Sequence, residues 1–220
     1  MLQTLDGYPI QRVAVIDDQP DVRASYADYL EDLGLEPVDE PMPGESLDRF
    51  VEKSRKYSHA AICDHRMKSS KYAGFDGAQL VSEYYQKRFP ALLCTRFEDD
   101  IDEIRPYRKY IPILLTLEDL TDPDTIRFSF ERLIAELRGE VPPSRKPWRT
   151  LVHIYDVDRE RGFVHILLPG WNPHKGLRLR IQDFPCELQS HLREDSWLHA
   201  RVNIGADNPE DLFFDGWEVD

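Results

Sequence analysis

Four apolar residues, Val13-Ala14-Val15-Ile16, run straight into two acids, Asp17-Asp18. No polar residue alternates with them, so the run has no water-facing side and suits a strand covered on both faces. The pattern returns at His59-Ala60-Ala61-Ile62-Cys63, which ends in Asp64, and at Ala91-Leu92-Leu93-Cys94, which ends in Thr95. Leu35 to Val38 and Ile111 to Leu115 supply two further strand candidates. Helical spacing fills the intervals. Val22, Tyr26, Tyr29, Leu30 and Leu33 follow Gln19-Pro20 and stop at Gly34, where a helix C-cap belongs. Glu45 to Lys56, Gly77 to Arg88, a short acidic helix near Glu98 to Arg105, and Asp124 to Arg138 continue the series. Buried strands alternating with helices predict a doubly wound, five-stranded parallel α/β sheet over residues 1–138.

Beyond it, residues 139–149 (GEVPPSRKPWR) carry prolines and basic residues without apolar periodicity and suit a linker. Residues 150–220 change character. Val152 to Tyr155, Gly162 to Leu168, Leu177 to Ile181, Leu198 to Ile204 and Leu212 to Trp217 are strand-like, with one helix candidate at Cys186 to Leu192. Five short strands with a helix between the third and fourth predict a small, OB-like β-barrel at the level of pattern alone.

In a parallel α/β sheet, functional groups collect where the strands' carboxyl ends meet their loops. Those ends carry Asp17, Asp18, Asp64 and Thr95. Three carboxylates held together repel one another, and an oxygen-ligated Mg²⁺ is the economical relief. Beside such a cation, Asp64 could accept a phosphoryl group as an acyl phosphate, with Thr95 hydrogen-bonding the added oxygens.

These residues, in this order, resemble the receiver domain of bacterial response regulators. The likeness rests on VAVIDD, on Ile62-Cys63-Asp64-His65-Arg66-Met67, on the Asp76-Gly77 turn opening a helix, and on LLCT ending in Thr95. It implies that Asp64 is the phosphoacceptor, that Asp17, Asp18 and the backbone carbonyl of Arg66 join Asp64 around Mg²⁺, and that Thr95 is the switch hydroxyl. It also implies a histidine kinase or phosphotransfer protein as phosphodonor, a possible homodimer, and a signalling rather than an enzymatic role. The chain departs from the pattern in three places. Lys68 stands where the family has Pro and opens a longer loop, KSSKYAGFDG, a candidate lid or partner contact. Arg96 follows Thr95 where the family has a small residue. Matching Leu120-Thr121 to the family's last loop puts Glu118 where a Lys is expected, leaving Arg96, Lys68 and Lys109 as substitute cations.

Composition narrows the partners. There are 41 acids against 28 bases, a formal charge of −13, which disfavours polyanions and anionic membrane surfaces. From Arg149 onward the count is 8 Lys and Arg against 13 Asp and Glu, so the second module is not a hidden basic one. Phe163, His165, Trp171, Arg178 and Arg180 would suit an OB-type nucleic-acid face, but the charge favours a protein output partner, with the acidic C-terminal segment as contact. Phe213, Phe214 and Trp217 suit barrel core. His153 and His165 could meet across a hairpin, though a metal would need further ligands. Three cysteines, Cys63, Cys94 and Cys186, lack disulfide or zinc spacing. With no signal-peptide pattern and no apolar run approaching the roughly 20 residues of a membrane span, a cytoplasmic location is expected. Two other readings stand beside the leading one. They are a phosphorylation-independent pseudo-receiver adaptor and a Mg²⁺-dependent phosphohydrolase, the latter needing an acid at position 66, where Arg stands.

Overall fold

The computed structural model describes residues 10–39, 46–68, 70–96 and 100–219, and the expected helix residues Glu45, Glu98 and Asp99 lie outside them. The chain forms two compact units. The first comprises residues 1–100 and 110–141, and the second comprises residues 101–109 and 142–220.

In the first unit, strands β1 (Arg12–Ile16), β2 (Glu36–Asp39), β3 (Ala60–Asp64), β4 (Ala91–Cys94) and β5 (Leu114–Leu115) pair in the order β2-β1-β3-β4-β5. Every pairing is parallel. Side chains alternate between faces along each strand. Val13, Val15, Ile62, Leu92 and Cys94 join one core with Tyr26 and Leu30 of α1 (Pro20–Asp32) and with Phe130 and Leu133 of the last helix of the unit. The intervening Ala14, Ile16, Ala61, Cys63 and Leu93 are also fully buried or nearly so. Both faces are therefore covered, as the unbroken apolar runs require.

Local chemistry sets the helix ends. Pro20 at the first turn of α1 has no N–H to leave unsatisfied. At its far end Gly34 takes φ +71°, the Gly34 N–H donates to Glu31 and the Leu35 N–H to Leu30, a Schellman closure with Leu30 and Leu35 both buried. Helix α2 (Leu47–Tyr57) precedes β3, and α3 (Gly77–Gln86) follows it. Gly77 is obligatory for a different reason, since a Cβ there would stand 2.0 Å from the Asp64 carbonyl oxygen.

Helix α4 (Ile101–Ile104) and the 3₁₀ turn Arg105–Tyr110 follow β4. The fifth strand is shorter than the expected Ile111–Leu115, because Pro112 lacks the N–H a ladder needs. After it come α5 (Leu117–Leu120), which the apolar spacing did not signal, and α6 (Pro123–Leu137). The Thr116 and Asp119 side chains cap the start of α5 reciprocally.

The second unit is an antiparallel sheet of β6 (Trp148–Asp158), β7 (Phe163–Leu168), β8 (Asn172–Arg180), β9 (Ser196–Val202) and β10 (Phe214–Val219), in the order β10-β9-β6-β7-β8. Helix α7 (Cys186–Gln189) lies between the third and fourth of these strands, as expected. Val152, Ile154, Val164, Ile166, Leu198 and Ala200 form its core, with Phe214 and Trp217 packed against it and Phe213 buried.

The outer strands β8 and β10 share no ladder among the described residues. Residues 101–109 bridge them. Asp102 pairs with Arg178 of β8, and Lys109 Nζ lies 2.7 Å from Asp215 of β10. Arg105 donates to the Pro209 and Leu212 carbonyls at 2.8 and 3.1 Å, and Arg108 meets Asp211 at 2.6 Å.

The domain boundaries are corrected accordingly. Residues 101–109, read as part of the first module, belong to the second, and residues 142–149 are no free linker. Arg145 is buried, and its two terminal nitrogens donate to the Arg108 and Lys109 carbonyls at 2.9 and 2.7 Å. A proline-rich basic stretch looks like a linker until its arginine finds buried carbonyls.

Candidate functional site

The parallel order places β1 and β3 side by side, with Ile16 level with Cys63. Asp17 directly follows the one strand and Asp64 ends the other. Carboxylate oxygens of Asp17, Asp18 and Asp64 lie within 4.8 Å of one another. Asp17 and Asp64 are buried and Asp18 is half-buried. Among the described residues, no other group of three or more His, Cys, Asp or Glu gathers in this way. His153 and His165 do not meet. His153 stacks on Trp197, and His165 Nδ1 lies 2.6 Å from Asp156.

Backbone donors hold the two buried acids in place. The Gln19 N–H donates to Asp17 and the Arg66 N–H to Asp64, both at 2.8 Å. Arg23, which the sequence reading missed, braces the end of β1. Its Nη1 donates to the Asp17 carbonyl at 2.7 Å while its Nε meets Asp39 at 2.5 Å.

Burial pushes the Asp64 carboxyl up to about 6, with the Asp17 charge adding to the rise. Burial also raises Asp17, against the pull of the Gln19 N–H and of Arg96. The cluster is thus short of positive charge. Hard oxygen donors in this number suit Mg²⁺, so the residues present fit that ion.

Of the three substitute cations, Arg96 alone reaches the acids, with its Nη2 3.1 Å from Asp17. Burial works against its charge, but Asp17 and Asp64 outweigh that and strengthen its hold on its proton. Lys68 instead donates to Gln79 at 2.9 Å and faces Asp76, at the start of α3. Lys109 is committed to Asp215 in the second unit.

The placement of Glu118 is corrected. Strand β5 ends at Leu115, the next residue is Thr116, and Glu118 is exposed in the first turn of α5. A two-residue strand leaves too little pattern to align. The expected lid is also revised. Tyr72 and Phe75 of that loop are buried, and the Phe75 ring lies 5.8 Å from Phe50, so the loop is anchored in the core.

Thr95 directly follows β4, whose Cys94 is level with Asp64. The Thr95 N–H donates to Leu115 at 2.9 Å. Its hydroxyl donates to one oxygen of Asp100, a carboxylate only 2% exposed. The other Asp100 oxygen is gripped by Nε and Nη2 of Arg66, each at 2.7 Å. Asp100 was not singled out from the sequence, since it stands in the acidic run FEDDIDE without a spacing of its own. The Arg66 side chain is therefore engaged beside the position whose backbone N–H holds Asp64.

The residues considered for nucleic-acid contact are already partnered within their own unit. Arg178 covers the Phe163 ring and pairs with Asp102, Arg180 is bound by Asp183, and Trp171 donates to the Ala206 carbonyl. In the acidic C-terminal segment, Asp211, Asp215 and Glu218 likewise face Arg108, Lys109 and Arg149. Cys63 and Cys94 are buried free thiols, and Cys186 is an exposed one.

No protein-family model matches the chain. No curated protein matches it either. Solved structures do resemble it. One is a response regulator receiver domain protein from Clostridium thermocellum, 16% identical, aligned over 60% of this chain and all of its own, with a TM-score of 0.46. Another is a CheY-like receiver domain protein from Methanospirillum hungatei JF-1, at 15% identity over the same shares, with a TM-score of 0.45. A third is the response regulator TrrA from Thermotoga maritima in complex with Mg(2+)-BeF, 17% identical, covering 56% of this chain and 99% of its own, with a TM-score of 0.42.

Proposed function

We propose that the first unit is a phosphoacceptor module of the response-regulator type, with Asp64 as acceptor, and that the second unit carries its output to a protein partner. The observation that supports this best is the trio Asp17, Asp18 and Asp64 within 4.8 Å at adjoining strand ends. A bound Mg²⁺, held by these acids and the Arg66 carbonyl, would neutralise the carboxylates and the incoming phosphoryl oxygens. An Asp64 oxygen forms a bond to phosphorus while the donor's P–N bond breaks, its electron pair staying on the imidazole of a phosphohistidine. The product is an acyl phosphate on Asp64. Arg96 supplies the fixed positive charge, and the Thr95 hydroxyl donates to the new oxygens.

The donor is a histidine kinase or phosphotransfer protein in the cytoplasm, and a second copy of this chain is a further partner. No described helix is long and apolar enough to cross a membrane. The role is stoichiometric signalling rather than turnover, because Arg66 and not an acid stands two residues past Asp64. Calorimetric titration with beryllofluoride and Mg²⁺ tests the reading. Wild type should show saturable, Mg²⁺-dependent heat that Asp64→Asn abolishes, and equal heat in the two proteins would refute it.

The Arg96–Asp17 contact favours a second reading, in which the guanidinium permanently replaces the cation and the chain is a phosphorylation-independent adaptor. That reading requires partner capture by Asp64→Asn to equal capture by wild type.

A further inference from the structure

Asp100 stands at the first of the three places where the chain passes from one unit to the other. Its carboxylate is bound within the first unit by the Thr95 hydroxyl and the Arg66 guanidinium. The next residue, Ile101, opens the segment that bridges the outer strands of the second unit. One side of that bridge rests on Asp102–Arg178 and the other on Lys109–Asp215. Arg105 and Arg108 tie its middle to residues 209–212. The first residue after the clamp is thus the first residue of the second unit's bridge.

We propose that Asp100 is a latch that holds the bridge in place and that modification of Asp64 opens it. The reason is a shortage of donors. A threonine hydroxyl has one proton, so Thr95 cannot donate to Asp100 and to a phosphoryl oxygen at once. The opening step rests on the phosphoacceptor reading, whereas the latch itself rests on the contacts of Asp100. Once the hydroxyl turns to the phosphoryl group, Asp100 keeps only Arg66 of its two partners among the described residues. Arg66 is itself half-exposed and its own N–H is tied to Asp64. The start of the bridge then frays, and the unladdered edge between β8 and β10 opens as the output signal. Asp100 and Arg66 are positioning residues here, since neither forms a bond in phosphoryl transfer.

Amide hydrogen exchange of the full chain separates the two claims. Without any phosphodonor, Asp100→Asn should speed exchange in residues 101–109 by about tenfold, and Thr95→Val and Arg66→Gln by several-fold, while β6 and β7 stay unchanged. Thr95→Ser keeps the hydroxyl and should restore wild-type exchange. Should Asp100→Asn fold poorly, Arg66→Gln alters only a half-exposed side chain and serves in its place. Exchange in residues 101–109 within about twofold of wild type in these variants overturns the latch, whatever happens at Asp64. In wild type, beryllofluoride with Mg²⁺ should speed exchange in the same residues and do nothing in Thr95→Val. Asp64-dependent binding heat without that loosening overturns the opening step and leaves the phosphoacceptor reading standing. Absence of binding heat overturns both that reading and the opening step, and the variants still decide the latch.

Discussion

The two units treat charge in opposite ways. At the strand ends of the parallel sheet three carboxylates crowd together and one guanidinium approaches one of them. Along the bridge of the antiparallel sheet, Asp102, Asp211 and Asp215 each face a Lys or Arg of their own. The titration behaviour follows. Burial raises Asp17 and Asp64, whereas the hydrogen bond from Lys109 lowers Asp215. A cluster left short of cations is a place to bind something. A cluster already matched is a fastener.

The largest expected effect breaks the parallel side alone. Gly77→Ala drives a methyl into the Asp64 carbonyl, and backbone cannot yield as a flexible side chain can. Denaturant melts should show a loss of about 3 kcal/mol or more, together with loss of beryllofluoride binding.

Next comes the cost of the crowded acids. In the cation-free protein at neutral pH, Asp64→Asn should be stabilising, on the order of 2 kcal/mol, because it removes a charge whose carboxyl titrates at about 6 when folded. A carboxyl raised on folding holds its proton more tightly in the folded chain. The stability it contributes is therefore fully present below about pH 4 and is lost as the pH rises through about 6. Melts of wild type across that window should decline relative to Asp64→Asn, and added Mg²⁺ should narrow the difference at neutral pH.

The paired side should respond in the reverse direction. Arg108 is buried, and Arg108→Ala removes the guanidinium donor of Asp211 and of the Glu210 carbonyl. A loss of about 1–3 kcal/mol is expected, seen first in the unfolding of the second unit. Arg149 and Glu218 form an exposed pair, so Arg149→Ala should change stability by less than about 0.5 kcal/mol. A stabilising Arg108→Ala would erase the contrast between the units.

How far the sequence discloses this architecture depends on the range of the forces involved. Apolar runs such as Val13 to Ile16 and Ala91 to Cys94 state their burial outright, and the Asp17-Asp18 pair and Thr95 that end them mark the candidate site. Gly34 marks a left-handed helix end, and Gly77 a close approach to the Asp64 carbonyl that leaves no room for a Cβ. Long-range pairing leaves no such local trace. Residues 101–109 lie between β4 and β5 in the chain, so nothing local marks them as part of the other unit. Arg145 looks like a linker residue until its buried carbonyl partners are known. Asp100 differs from its acidic neighbours only in what it touches. Glu118 was misplaced because a strand of two residues carries no periodicity.

The most direct test of the central claim is the mass of the protein after incubation with a small acyl-phosphate donor and Mg²⁺. The account predicts a single added phosphoryl group, mapped to the peptide carrying Asp64 and absent from Asp64→Asn. Folded wild type that gains no phosphoryl group, or an Asn variant that gains as much, would contradict it.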